Sequence, residues 1–118
     1  MLKTFRDMEV WKKAHELSLE VFEITSELPK SEDYALTSQI RRSSNSISSN
    51  IAEGFGRRTK KDKQYFYTVS RGSAFESQNH LLYGNKVNYF EDEKTSNLLE
   101  EYDNLIHQLN KIMKSLGG

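Results

Sequence analysis

The segment NLLEEYDNLIHQLNKIMKSL, residues 97–116, places Leu98/Leu99, Tyr102, Leu105/Ile106, Leu109, Ile112/Met113 and Leu116 at steps of three and four. That spacing returns to one side of an α-helix at every turn, so it predicts an apolar stripe on a helix over 93–116, with Asp92 or Thr95 suited to cap it. Three upstream segments carry the same period. In the first, over 8–28, Val10/Trp11, Ala14, Leu17, Val21, Ile24/Thr25 and Leu28 recur until Leu28-Pro29-Lys30 stops the run. The second, over 32–54, has the narrower stripe Leu36, Ile40, Ser43, Ile47 and Asn50/Ile51, with Ser31 as its expected N-cap and Glu32 and Asp33 in the first turn.

Thr59, followed by Asp62, resembles a capping box and opens a third helix over 60–84. Its expected inner face is Phe66, Val69, Ser73, Glu76, His80 and Tyr83, and Gly84-Asn85 is its expected stop. One proline and six glycines leave few other breakers. Four helices of about 20 residues, each about 30 Å long and joined by short loops, predict an all-α, up-down-up-down antiparallel four-helix bundle.

The length of 118 residues fits one domain over 1–118, which at this size buries roughly two-thirds of its extended surface. The absence of cysteine excludes disulfides, zinc–thiolate sites and thiol catalysis. Arg6, Asp7, Glu9 and Lys12 interrupt the N-terminal stretch before an apolar run could act as a signal peptide, and no apolar stretch approaches membrane-spanning length. The expectation is a cytoplasmic protein with no membrane partner.

Charge is distributed unevenly. Between Arg41 and Lys63 seven basic residues stand against Glu53 and Asp62, so a chain of formal charge zero carries +5 there and −5 elsewhere. Antiparallel connectivity gathers Lys3, Arg6, Lys12, Lys13, Arg57, Arg58, Lys60, Lys61, Lys63, Lys111 and Lys114 at one end with four carboxylates, for +7. The opposite end collects three lysines and nine carboxylates, Glu101 among them, for −6. Helix dipoles explain the cations at helix C-termini, where each is favoured by up to about 1 kcal/mol. They do not explain Lys60, Lys61 and Lys63, which fall in a first turn where the dipole opposes them. Tyr65 and Tyr67 follow at once, as stacking side chains do in single-stranded nucleic-acid sites. The expected nucleic-acid-binding set is Arg57, Arg58, Lys60, Lys61, Lys63 and Tyr65, with Lys12 and Lys13 beside it.

A second set reads as a structural polar network of Arg41, Arg42, Asn50, Glu53 and Glu76. Ser43, Ser44, Ser46, Ser48 and Ser49 lower helix propensity, so this segment must be held by its neighbours; the serines either admit close helix packing or line a polar ligand surface. Asn50 could fix register in such a seam. Glu76, placed on the expected inner face, requires a cation such as Arg42.

The sequence carries no catalytic or cofactor-binding motif. His15, His80 and His107 lie on three different helices, with no metal-binding spacing, and Gly54-Phe55-Gly56 lacks the third glycine and preceding strand of a dinucleotide fingerprint. The expectation is a non-enzyme without metal or cofactor.

The string QIRRSSNSISSNIAEGFGRR, with the upstream WKKAHEL, the Leu-Pro before helix two and the later SRGSAFES, resembles the four-helix-bundle proteins encoded within intervening sequences of bacterial 23S ribosomal RNA genes. The most specific elements are Arg41-Arg42, Ser46-Ile47, Asn50 to Gly54, and Gly72-Ser73 with Glu76; Ser43-Ser44 departs mildly from Ala-rich small residues. The resemblance implies a ring-shaped homopentamer, no defined enzymatic activity, and a fold shared with accessory proteins of diversity-generating retroelements, which bind nucleic acid and a reverse transcriptase. A nucleic-acid partner, RNA ahead of DNA, is the first reading of the basic end. The alternative is a scaffold that recruits a protein partner such as a polymerase.

Overall fold

The structure, a computed structural model, describes residues 2–117 of the chain, so the two outermost residues of the expected domain lie outside it. Four helices follow in order: α1, Glu9–Thr25; α2, Leu36–Phe55; α3, Lys60–Lys86; and α4, Asp92–Ser115. Short 3-10 turns at Phe5–Asp7 and Lys30–Glu32 precede the first two. Helix α1 packs against α2 and α4, and α3 packs against the same two, so the four stand at the corners of a square. Cross-helix contacts run in opposite numerical directions along α2–α3 and α3–α4: Ser43 and Ile47 meet Ser77 and Ser70, and Gln64 and Gln78 meet Met113 and Leu99. Those two pairs are therefore antiparallel, in a bundle of 43 × 24 × 21 Å.

Three of the four expected stripes are the buried ones. Val10, Ala14, Leu17, Val21 and Thr25 from α1, Leu36, Ile40, Ser43, Ile47 and Ile51 from α2, and Leu98, Tyr102, Leu105, Leu109 and Met113 from α4 face the interior. Tyr102 lies at the centre; its hydroxyl has no hydrogen-bond partner among the described residues, and burial pushes its pKa up.

Helix α3 is rotated from its expected face. It buries Tyr67, Ser70, Ser73, Ala74, Ser77, Leu81 and Gly84, while Glu76 and Tyr83 are exposed and Phe66, Val69 and His80 are half-buried. The reason is side-chain size. Its inner face consists mainly of small residues, so the large aromatics that dominate a periodicity count point outward.

Three boundaries also move, the first at α1, which ends at Thr25 rather than 28. Helix α2 begins at Leu36 rather than 32, and Ser31 is not its cap; the Glu32 carboxylate accepts the Leu36 N–H at 3.2 Å instead. Gly84 does not end α3. The helix continues to Lys86; glycine is needed at 84 because the Phe90 ring lies where its Cβ would stand, and the turn is made by Asn88 at φ 68°. Tyr89 N–H then returns to the Gly84 carbonyl at 2.8 Å, and the Asn85 amide donates to Asp92 at 2.7 Å. Phe90 is itself a core residue.

Candidate nucleic-acid interface

The basic end is built where α2 stops and α3 starts. Gly54 gives the turn its shape: a Cβ there would stand 2.7 Å from the Tyr67 ring, so only glycine lets α3 come this close. Tyr67 is thereby 3 % exposed, and desolvation raises the pKa of its phenol; it cannot stack on a ligand. Thr59 caps α3 as expected, its hydroxyl accepting the Asp62 N–H at 3.1 Å.

Lys63 has a structural task that the sequence reading missed. Its Nζ donates to the carbonyls of Gly54 at 3.2 Å and Phe55 at 2.8 Å, satisfying the open C-terminal end of α2. Its cost at the start of α3 is offset by this cap on the preceding helix. Arg57 is likewise engaged, donating to Glu53 at 2.9 Å and lying 4.7 Å above the Phe66 ring. Lys13 pairs with Glu101 across the α1–α4 contact, and the hydrogen bond its ammonium donates to that carboxylate raises the lysine pKa. The pair lies along the bundle's side. Each end thus loses one charge from the axial separation read in sequence, leaving +6 and −5 by that tally. Lys12 makes only a 3.5 Å contact with exposed Glu9.

Arg58, Lys60 and Lys61 remain: all three are exposed, and none pairs with a carboxylate among the described residues. Lys111 and Lys114 join them from α4, whose last turns are held to α3 by Gln64 donating to the Met113 carbonyl at 2.7 Å. Tyr65 is 63 % exposed and meets Phe66 edge-on, centroids 5.0 Å apart. The usable surface is therefore a cluster of unpaired cations with one free aromatic ring beside it. Phe66 and Gln64 were not read as parts of it. Gln64 follows Lys63 directly, and only the α3–α4 register reveals its role.

The polar set divides differently from expectation. Glu76 is not a buried ion: its carboxylate is half-exposed, touches His80 at 3.3 Å, and has no arginine partner within the chain among the described residues. Arg42 is exposed on α2. Arg41 is the engaged member, donating to Thr25 Oγ1 at 2.8 Å and the Phe22 carbonyl at 3.2 Å, with its guanidinium 4.1 Å above the Phe22 ring. The α2–α3 seam is held by hydroxyls: Ser43 with Ser77 at 2.8 Å, Ser70 to the Ile47 carbonyl at 2.8 Å, and Ser73 to Ser46 at 3.0 Å. Asn50 donates to Ser46 and so joins that seam, whereas Glu53 serves only Arg57.

Residues 6–111 match the family described as 23S rRNA-intervening sequence protein. The chain belongs to that family. A crystal structure of a protein with unknown function from the S23 ribosomal protein family of Bacteroides thetaiotaomicron VPI-5482 superposes with a TM-score of 0.82 at 20 % identity, over 89 % of this chain and 95 % of that one. At that identity the likeness concerns the bundle alone. No curated protein matches the sequence. Among the described residues, no group of His, Asp or Glu is arranged to hold a metal ion, and no helix is long and apolar enough to cross a membrane.

Proposed function

We propose that this chain is a non-enzymatic nucleic-acid-binding protein whose basic end contacts phosphates, with RNA preferred to DNA. The observation that carries the reading is the set Arg58, Lys60 and Lys61, all exposed and without a carboxylate partner among the described residues, with Lys60 and Lys61 in the first turn of α3, where the dipole opposes them. Lys63 has a structural explanation for its place there; Lys60 and Lys61 have none. Tyr65 supplies a ring on which an unpaired base can stack, a contact worth about 1–3 kcal/mol. The single-strand character of the site rests on that ring, because duplex bases are not free to reach it. Self-association, implied by the family resemblance, brings several such ends together, and avidity then strengthens contacts that are weak singly.

The test is RNA affinity as a function of salt for the wild type and for Arg58→Glu/Lys60→Glu/Lys61→Glu, with Arg57 and Lys63 left in place because they hold the fold. Phosphate contacts predict a linear fall of log affinity with log salt and a loss of about three contacts' worth of slope in the variant. Equal binding by wild type and variant at low salt, with unchanged helicity, overturns the reading.

A further inference from the structure

Helix α3 has an outer face that one copy of the chain leaves unexplained. Phe75 is 53 % exposed, and Leu82 and Tyr83 stand beyond it on the same side, so the helix presents large apolar groups to solvent while burying serines. Gly72 lies one turn before Phe75, in the middle of a 27-residue helix, with nothing within 4 Å of where its Cβ would be. Gly54 and Gly84 are each required by a ring that presses on them, but no contact among the described residues requires Gly72. A mid-helix glycine costs about 0.5–1 kcal/mol relative to alanine, and its usual return is the close approach of another backbone.

A second apolar patch occupies a different side of the bundle. Leu19 and Phe22 of α1 are both more than half exposed and border a shallow groove shared with Asn45 of α2. Arg42 lies three residues before Asn45, on that same outer side of α2, exposed and without a carboxylate among the described residues. Among the described residues, the two patches carry complementary charges without a partner of opposite sign from Lys, Arg, Asp or Glu: Glu76 beside Phe75 on one, Arg42 beside the groove on the other.

We propose that the outer face of α3 in one copy docks on the α1–α2 face of a second copy, with Glu76 pairing with Arg42 across the contact and Gly72 admitting the neighbouring helix. This deepens the self-association in the proposed function and rests on it. A contact between two different patches is heterologous, so repeated copies close a ring or extend a filament rather than stopping at a two-fold dimer. Arg41 is not available for this pairing, being bound to Thr25 and Phe22. His80 touches one Glu76 oxygen, leaving the other half of the carboxylate for the neighbour.

Native mass spectrometry and light scattering on the full chain test this, alongside circular dichroism and RNA binding per chain. The expected result is an assembled wild type, a helical monomer for Phe75→Asp/Leu82→Asp, and about tenfold weaker association for Glu76→Arg or Arg42→Glu alone. Combining Glu76→Arg with Arg42→Glu should restore assembly, an outcome that misfolding cannot produce. If the wild type assembles but Phe75→Asp/Leu82→Asp assembles equally well, or the charge swap fails to rescue, the docking surface is wrong and self-association stands. If the wild type is a monomer at every concentration, both fall. Capture of RNA by Tyr65 and the α3 face in place of a second copy would appear as weaker RNA binding per chain in Phe75→Asp, and would also overturn the proposal.

Discussion

Helices α3 and α4 are of similar length, 27 and 24 residues, and place their large side chains on opposite sides. Helix α4 buries Leu98, Tyr102, Leu105, Ile106 and Leu109 and exposes charge, so its stability comes from apolar area removed from water. Over its central turns α3 buries Ser70, Ser73, Ala74 and Ser77, with Tyr67 and Leu81 at either side, and exposes Phe75, Leu82 and Tyr83. Its attachment depends on close approach to α2 and on hydroxyls that find partners across the seam. The difference teaches that an apolar count finds a helix's inner face only where the interior is filled by large groups.

The largest expected effect falls on the α4 side of that contrast. Leu105 is fully buried between the helices, so Leu105→Ala removes transfer free energy and leaves a cavity, for a loss of about 2–5 kcal/mol in denaturant unfolding. A loss under about 1 kcal/mol would mean that α4 is not the apolar half of the core. On α3, Gly84→Ala should cost about 1–3 kcal/mol by overpacking, because the Phe90 ring occupies the site of the new methyl group and is itself buried. Helix propensity alone predicts a gain of about 1 kcal/mol, so the sign of the change decides between packing and propensity.

The same contrast explains what could be read from the sequence. The bundle, the stripes of α1, α2 and α4 and the Thr59 cap were legible because large apolar residues recur at a helical period and a threonine precedes an acidic residue by three. The α3 face was legible only at Ser73, because Phe66, Val69 and Tyr83 outweigh Ser70 and Ser77 in any hydropathy pattern although all three serines meet α2. At the basic end, the positions of Arg58, Lys60 and Lys61 followed from connectivity. The tasks of Lys63, Arg57 and Lys13 did not, since each depends on a partner eight residues away on another helix, on a ring beneath it, or on a carboxylate 88 positions along the chain. Chain topology places charges at an end of a bundle; only packing shows which of them are already bound.

The smallest expected effect concerns the outer side of α3 and has opposite signs in two measurements. In the Phe75→Asp/Leu82→Asp background, where a single copy is expected, Gly72→Ala meets nothing within 4 Å and should stabilise the fold by about 0.5–1 kcal/mol through helix propensity. In the otherwise wild-type chain the added methyl group stands where a neighbouring helix is expected, so the same substitution should weaken association. A gain in both would show that Gly72 is merely tolerated and that no backbone approaches it. A loss in the single-copy background would instead place a contact on Gly72 within the chain, and the outer face of α3 would then belong to the fold.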